Sequence, residues 1–187
     1  MVVDADTAPV VLLRNAPRSW RERGAVRAAL RGDAAGVDWL FREHWPAAYR
    51  AAWLIVRDEA AAEDIAQEGF LAALGALERF DRARPFGPWL RTIVARRAID
   101  AARARAVRRE VGAEPLNALP AREELAGLPD DVLAAVALLP DEQRIPIALR
   151  HLLGFTPGEI AELLDLPRGT VNSRLRRGLD ALSEALT

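Results

Sequence analysis

The sequence has no cysteine and no lysine, and among its 187 residues only two histidines and one tyrosine. Without thiols there is no disulfide framework, thiolate metal site or cysteine nucleophile, which fits a reducing cytoplasm. His44 and His151 each lie in an otherwise apolar helical pattern, where a lone histidine is structural rather than catalytic. Neither is spaced to complete a metal site with the acidic residues. There is no glycine-rich phosphate loop and no nucleophile with a partnered base, so an enzyme is the least supported class and no cofactor is expected. No segment approaches the roughly twenty apolar residues of a membrane-spanning helix. The first apolar stretch, Ala8 to Leu13, is broken by Pro9 and preceded by Asp4 and Asp6, unlike a secretory signal. A cytoplasmic chain with no membrane insertion is therefore expected.

Half of the chain is apolar (51%), enough for one generous core or two compact ones. The net charge of −1 conceals a segregation of sign along the sequence. Residues 1–24 show no sustained periodicity and read as a flexible arm. From Val37 the spacing of Leu40, Phe41, Trp45, Ala48, Tyr49, Ala52 and Val56 predicts an amphipathic helix, interrupted at Pro46. Asp58 is placed to cap a second helix, which buries Ala62, Ile65, Ala66, Leu74 and Leu77 and exposes an acidic face of Glu63, Asp64, Gln67 and Glu68. Phe80 to Gly87 reads as a charged loop before a third helix, opened by Pro88 and anchored by Trp89, Leu90, Ile93 and Val94. Arg91 to Arg109 holds seven arginines against the single acid Asp100, a basic arm. Residues 110–129 reverse the sign and are broken by Pro115, Pro120 and Pro129, marking a linker. Short helices follow over 130–187, and no strand alternation competes with them. The fold class is all α: two small helical domains, 25–109 and 130–187, joined by a flexible acidic linker.

The strongest local signal lies near the end of the chain. Thr156 as N-cap, Pro157 at the first helical position and Glu159 at the third predict a capping box, followed by inward Ile160, Leu163 and Leu164. Asp165-Leu166-Pro167 permits only a tight turn before the apolar series Val171, Leu175, Leu179 and Leu182. The other face of that last helix offers Arg168, Thr170, Asn172, Ser173, Arg174, Arg176 and Arg177, groups that bind phosphates and base edges. This predicts a helix-turn-helix whose last helix enters the major groove of DNA.

Pro167-Arg168-Gly169-Thr170-Val171-Asn172-Ser173-Arg174-Leu175 resembles the P-x-G-T-V-x-S-R-hydrophobic run in the fourth conserved region of extracytoplasmic-function (ECF) sigma factors. Upstream, Ala62-Glu63-Asp64-Ile65-Ala66-Gln67-Glu68-Gly69-Phe70 is similar to the A-E-D-hydrophobic-x-Q-E-x-F stretch of their second region. Phe86-Gly87-Pro88-Trp89-Leu90-Arg91-Thr92-Ile93 follows as F-x-x-W-L-x-x-I, and Ala98-Ile99-Asp100 with Arg103 continues it. The resemblance, spanning Ala28 to the C-terminus, implies an alternative sigma factor that binds RNA polymerase core and directs promoter recognition, melting and initiation. It implies that Glu63, Asp64, Gln67 and Glu68 contact the β′ clamp helices and that the C-terminal domain meets the β flap and the upstream promoter element. It implies that the loop holding Phe80, Asp81, Arg82 and Arg84 captures a flipped base of the downstream element, whose upstream edge and phosphates face Arg96, Arg97, Asp100 and Arg103. Trp89 is expected in the core rather than on a base. The acidic linker would thread the polymerase cleft toward the RNA exit path, and an anti-sigma protein that masks both domains is a further implied partner.

Three departures from the family pattern carry expectations. Pro146 should kink or delay the helix begun by Asp141, Asp165 must take the turn position often held by glycine, and Gly69 should loosen the acidic helix. Two other functions compete with the sigma reading: a helix-turn-helix regulator that binds a palindrome without polymerase, and a sigma mimic that never touches DNA. The acidic helix followed by a basic arm argues against the first, and the arginines on both DNA-facing surfaces against the second.

Overall fold

The computed structural model describes residues 18–109 and 130–186, and every regular element among them is helical. The N-terminal group holds α1 (Arg18–Leu30), α2 (Ala34–Val56), α3 (Glu59–Gly75), a single 3-10 turn (Leu77–Arg79) and α4 (Phe86–Arg109). The C-terminal group holds α5 (Asp130–Leu138), α6 (Asp141–Ile147), α7 (Pro157–Leu164) and α8 (Arg168–Ala185). The linker, 110–129, lies outside the described residues, as do the first 17 residues of the arm.

The helix α1 begins inside the segment read as an arm. It buries Ala25 and Val26 against α2 at a very close approach, because a Cβ on Gly36 would lie 2.6 Å from the Ala25 carbonyl oxygen and from the Ala29 nitrogen. Its polar opening, Arg21-Glu22-Arg23-Gly24, hid that short apolar stripe from the sequence pattern.

At the centre of the N-terminal group, α2 packs on α1, α3 and α4. Asp33 caps it, accepting a 2.9 Å bond from the Ala35 N–H. The helix runs unbroken through Pro46, which is exposed, so water can satisfy the carbonyl that the missing N–H leaves free. Leu40, Ile55, Phe86, Leu90 and Ile99 are fully buried, each contributing about 1.5–3 kcal/mol. Asp58 caps α3 as expected: the Ala61 N–H and, secondarily, Arg105 hold its carboxyl below the usual carboxylate range. Gly69 does not simply loosen α3. It marks the contact with α4, where a Cβ would come within 2.6 Å of Val94 Cγ2.

In the C-terminal group the capping box forms in full: the Glu159 N–H donates to Thr156 Oγ1 at 3.3 Å, and the Thr156 N–H donates to Glu159 Oε2 at 2.7 Å. Asp165 adopts the left-handed conformation (φ 53°) that the tight turn into α8 demands. Pro146 is buried within α6, and the chain beyond it widens into a π turn over Ala148–Leu152 instead of stopping.

The two groups pack directly on each other, α2 against α6 and α4 against α7, and their buried residues form one continuous cluster. Three guanidiniums bridge to carbonyls of the opposite group. Arg144, only 2% exposed, donates to the Leu54 carbonyl and, at 3.1 Å, to that of Ile55, and at 2.8 Å to Asp141. Arg57 donates to the Ala137 carbonyl, and Arg103 to that of Leu164. Leu54 and Ile55 belong to the last turn of α2, where carbonyls have no intrahelical donor and the helix dipole is negative, so Arg144 caps α2 from the other domain.

Replacing Arg144 with Met should therefore cost about 2–4 kcal/mol, since it strips several charge-assisted bonds from buried carbonyls. Urea unfolding reads the loss, and small-angle scattering should show a larger radius of gyration; an unchanged urea midpoint and radius would contradict the bridge. Thr156→Ala should cost about 1 kcal/mol at neutral pH. The Thr156 N–H and hydroxyl hold the Glu159 carboxyl below its ordinary range, so the stability it adds is present above that range and is lost as the pH falls through the lowered value. The gap between wild type and variant in thermal melts should accordingly narrow on acidification.

Candidate nucleic-acid interface

On α8, Val171, Leu175 and Gly178 face the core, which turns Asn172, Ser173, Arg176 and Arg177 outward; Arg168 is exposed at the helix start. Thr170 is half-buried, and the Ser173 hydroxyl donates to its carbonyl at 3.0 Å, leaving the serine oxygen free to accept. Arg174 differs from the rest. Its guanidinium turns toward α6 and lies 3.8 Å from Glu142, so it is not part of the open face. The exposed set combines guanidinium forks, an amide and a hydroxyl along one helical edge, suited to phosphates and to the major-groove edges of bases.

On α3, Glu63, Asp64, Gln67 and Glu68 are all exposed opposite buried Ala62, Ile65, Ala66 and Phe70. Glu68 carries an ion pair of 3.1 Å to Arg97 of α4. Arg97 thus joins the acidic ridge rather than the row of Arg96, Asp100 and Arg103. In that row Arg96 and Asp100 are exposed, whereas Arg103 lies 3.9 Å from Asp100 and is drawn to the Leu164 carbonyl across the domain contact.

The loop between the 3-10 turn and α4 is built by Asp81, whose carboxylate accepts from the Ala83 N–H at 3.0 Å and whose carbonyl accepts from the Arg84 N–H at 2.9 Å. Arg82 and Arg84 project from it, Arg84 pairing with Asp81 at 3.5 Å. Phe80 is not displayed. It is 7% exposed, 4.7 Å from the half-buried Trp89 ring and edge-on to Phe86, where it braces the loop from beneath. Trp89 rests on this aromatic cluster, in keeping with its expected core role.

Sequence reasoning missed the partner of this loop. Glu22, Arg23, Val26 and Arg27 of α1 join Phe80, Arg82 and Arg84 around a cavity of about 310 Å³. Glu22 is already engaged, accepting the Phe86 N–H at 2.7 Å and lying 3.2 Å from the buried His44. The signal was present in the sequence, since Arg23 and Arg27 stand four apart beside the apolar Val26, but it lay across the assumed end of the arm. His151 is exposed, not part of an apolar face, and the partial loss of solvent around its ring together with the Arg150 charge holds its pKa below the ordinary value. Among the described residues, no three His, Asp or Glu side chains gather to hold a metal, and no helix is long and apolar enough to cross a membrane.

Comparison with known proteins agrees with this layout. Residues 40–108 match the family described as sigma-70 region 2, and residues 130–182 match sigma-70 region 4. The chain is 34% identical over 140 residues to the ECF RNA polymerase sigma factor SigW of Bacillus subtilis, covering 67% of this chain and 75% of that protein. It is 34% identical over 163 residues to SigL of Mycobacterium tuberculosis, covering 84% and 92%. Among solved structures it is similar to the sigma factor RpoE in complex with the anti-sigma factor NepR from Bartonella quintana, with a TM-score of 0.60, 25% identity and coverage of 80% and 95%. It is also similar to CnrH in complex with the cytosolic domain of CnrY, with a TM-score of 0.58, 28% identity and coverage of 89% and 97%. With both conserved regions present in order and relatives aligned along most of their length, the chain belongs to the ECF family of RNA polymerase sigma factors.

Proposed function

We propose that this protein is an alternative sigma subunit that docks on RNA polymerase core in the cytoplasm, selects a promoter and helps to open it, while the polymerase performs all the chemistry. The observation that carries this reading is the capped helix-turn-helix with Arg168, Asn172, Ser173, Arg176 and Arg177 exposed on one edge of α8, joined to a domain with an exposed acidic ridge. In this reading α8 enters the major groove of the upstream element, and Glu63, Asp64, Gln67 and Glu68 meet the clamp helices of β′. The Asp81 to Arg84 loop and Arg96 with Asp100 take the downstream element, and Phe80 serves by bracing that loop.

The closed packing of the two domains adds a mechanical condition. Part of the Arg103 guanidinium is committed while it donates to Leu164, and Arg174 is turned from the open face of α8 while it faces Glu142. Spreading the domains along a promoter frees the first, and with it the carbonyls that Arg144 covers. A proteinaceous antagonist that holds the domains together would exploit the same geometry; the similar sigma factor RpoE is known in complex with an anti-sigma factor, NepR.

The decisive experiment reconstitutes the purified protein with polymerase core and a promoter library, then maps RNA 5′ ends. Start sites specific to the added protein are expected; none above the core-only background would defeat the proposal. On a promoter found in this way, Arg176→Ala with Arg177→Ala should weaken binding of the upstream element. It should also reduce the log-log salt slope by about 0.9 for each phosphate that the substitution leaves unneutralised. A slope equal to that of wild type would show that neither arginine touches phosphate.

A further inference from the structure

Glu22 is the only acid of α1, a helix that carries four arginines, and its side chain is turned from water, 14% exposed. Its carboxylate meets two other helices at once. Oε1 accepts the Phe86 N–H at 2.7 Å, and Oε2 lies 3.2 Å from Nε2 of the buried His44 of α2. Phe86 is the first residue of α4, where N–H groups have no intrahelical acceptor and the helix dipole is positive, so a carboxylate delivered from α1 caps it well. Phe86 is fully buried, and its N–H depends on that carboxylate. His44 closes the joint from the other side. Its ring centroid is 5.2 Å from that of Phe86, and a Cβ on Gly87 would stand 3.1 Å from the same imidazole. The loop before α4 hangs between two anchors: Phe80 and Phe86 are buried at its ends, and Asp81 to Pro85 between them are all exposed. With the second anchor set by Glu22, the reach of Arg82 and Arg84 is fixed from a helix that precedes the matched region 2.

We propose that Glu22 is a positioning residue for promoter opening: by capping α4 and bracing His44, it sets the attitude of the Asp81 loop toward DNA. The inference rests on the sigma reading and adds to it a residue that touches no DNA. The length and placement of the carboxylate matter here more than its charge. Glu22 shares a cavity wall with Arg82 and Arg84, and an acid beside cationic groups repels phosphate. Charge alone therefore predicts that removing Glu22 tightens the hold on DNA, whereas loss of the cap predicts slower opening. The two effects have opposite signs.

The test uses the full chain bound to polymerase core, on a promoter fragment that the wild-type holoenzyme binds. Three variants separate geometry from charge. Glu22→Ala removes both contacts. Glu22→Asp keeps the charge but is one methylene too short to span Phe86 and His44, and Glu22→Gln loses the charge but keeps an oxygen for the Phe86 N–H. All three should bind core and the duplex upstream element as wild type does. Opening is followed as the rate at which promoter thymines become reactive to permanganate. It should slow on the order of tenfold in Glu22→Ala and Glu22→Asp, and stay within about threefold of wild type in Glu22→Gln. Unimpaired opening in Glu22→Ala would overturn the proposal. So would a slow Glu22→Gln beside an unimpaired Glu22→Asp, which would put the charge in command. Loss of core binding, duplex binding and opening by the same factor would also overturn it, since a cap that only stabilised the fold would act in that way. A wild-type holoenzyme that binds the fragment and never opens it would instead bring down the sigma reading beneath.

Discussion

The bond between the Arg144 guanidinium and the last carbonyls of α2 sets the arrangement of everything else. The final turn of a helix leaves carbonyls without donors, and burying them unsatisfied would cost about as much as lost hydrogen bonds. Here the chain leaves α2 through Arg57 in the left-handed conformation, and the donors arrive from a residue almost half the chain away. Burial, with the neighbouring Arg144 charge second, pushes the Arg57 guanidinium below its ordinary value. With that end covered, α6 is fixed against α2 and α7 against α4, and the two small cores merge. Arg103 reaches across this contact to the Leu164 carbonyl, Arg174 turns toward Glu142 within the C-terminal group, and the outer edge of α8, the acidic ridge of α3 and the mouth of the α1 cavity face out.

Sign segregation operates in three dimensions as well as along the chain. Several acids that meet arginines do so to build the scaffold: Asp58 ties Arg105 to the start of α3, Asp141 steadies Arg144, and Asp81 folds a loop on Arg84. Among the exposed charges, an acidic face lies on α3 and cationic faces lie on the first half of α8 and around the α1 cavity. A net charge near zero therefore coexists with surfaces able to hold a protein and a polyanion at the same time.

Most of the helices could be read from the sequence because their determinants are local. The three-and-four spacing of Leu40 to Val56, the Asp58 cap and the Thr156–Glu159 box each lie within a few residues, and each appears where expected. The α1 helix escaped because its buried stripe is only Ala25 and Val26, preceded by charged residues and Gly24. The π turn after Pro146 escaped because a proline announces a missing donor without saying how the carbonyls rearrange. Within the site, the outward groups of α8 and α3 were legible from periodicity alone. The engagement of Arg97 by Glu68, of Arg174 by Glu142 and of Arg103 by Leu164 was not, because each partner comes from another helix. Phe80 was misplaced for a related reason: a loop aromatic looks available until Trp89 and Phe86 are seen above and beside it.

The pair between Glu68 and Arg97 ties the acidic ridge of α3 to the basic helix α4. Any protein that claims the glutamate sets the arginine loose for an anion, and any phosphate that captures the arginine leaves the glutamate readier for a cationic protein. Thermodynamic reciprocity makes the two effects equal in size. For an ion pair this open to water the coupling is at most about 1 kcal/mol, roughly fivefold in affinity. A single surface contact of this kind couples whatever meets the acidic ridge to whatever anion meets α4, with no movement of the backbone.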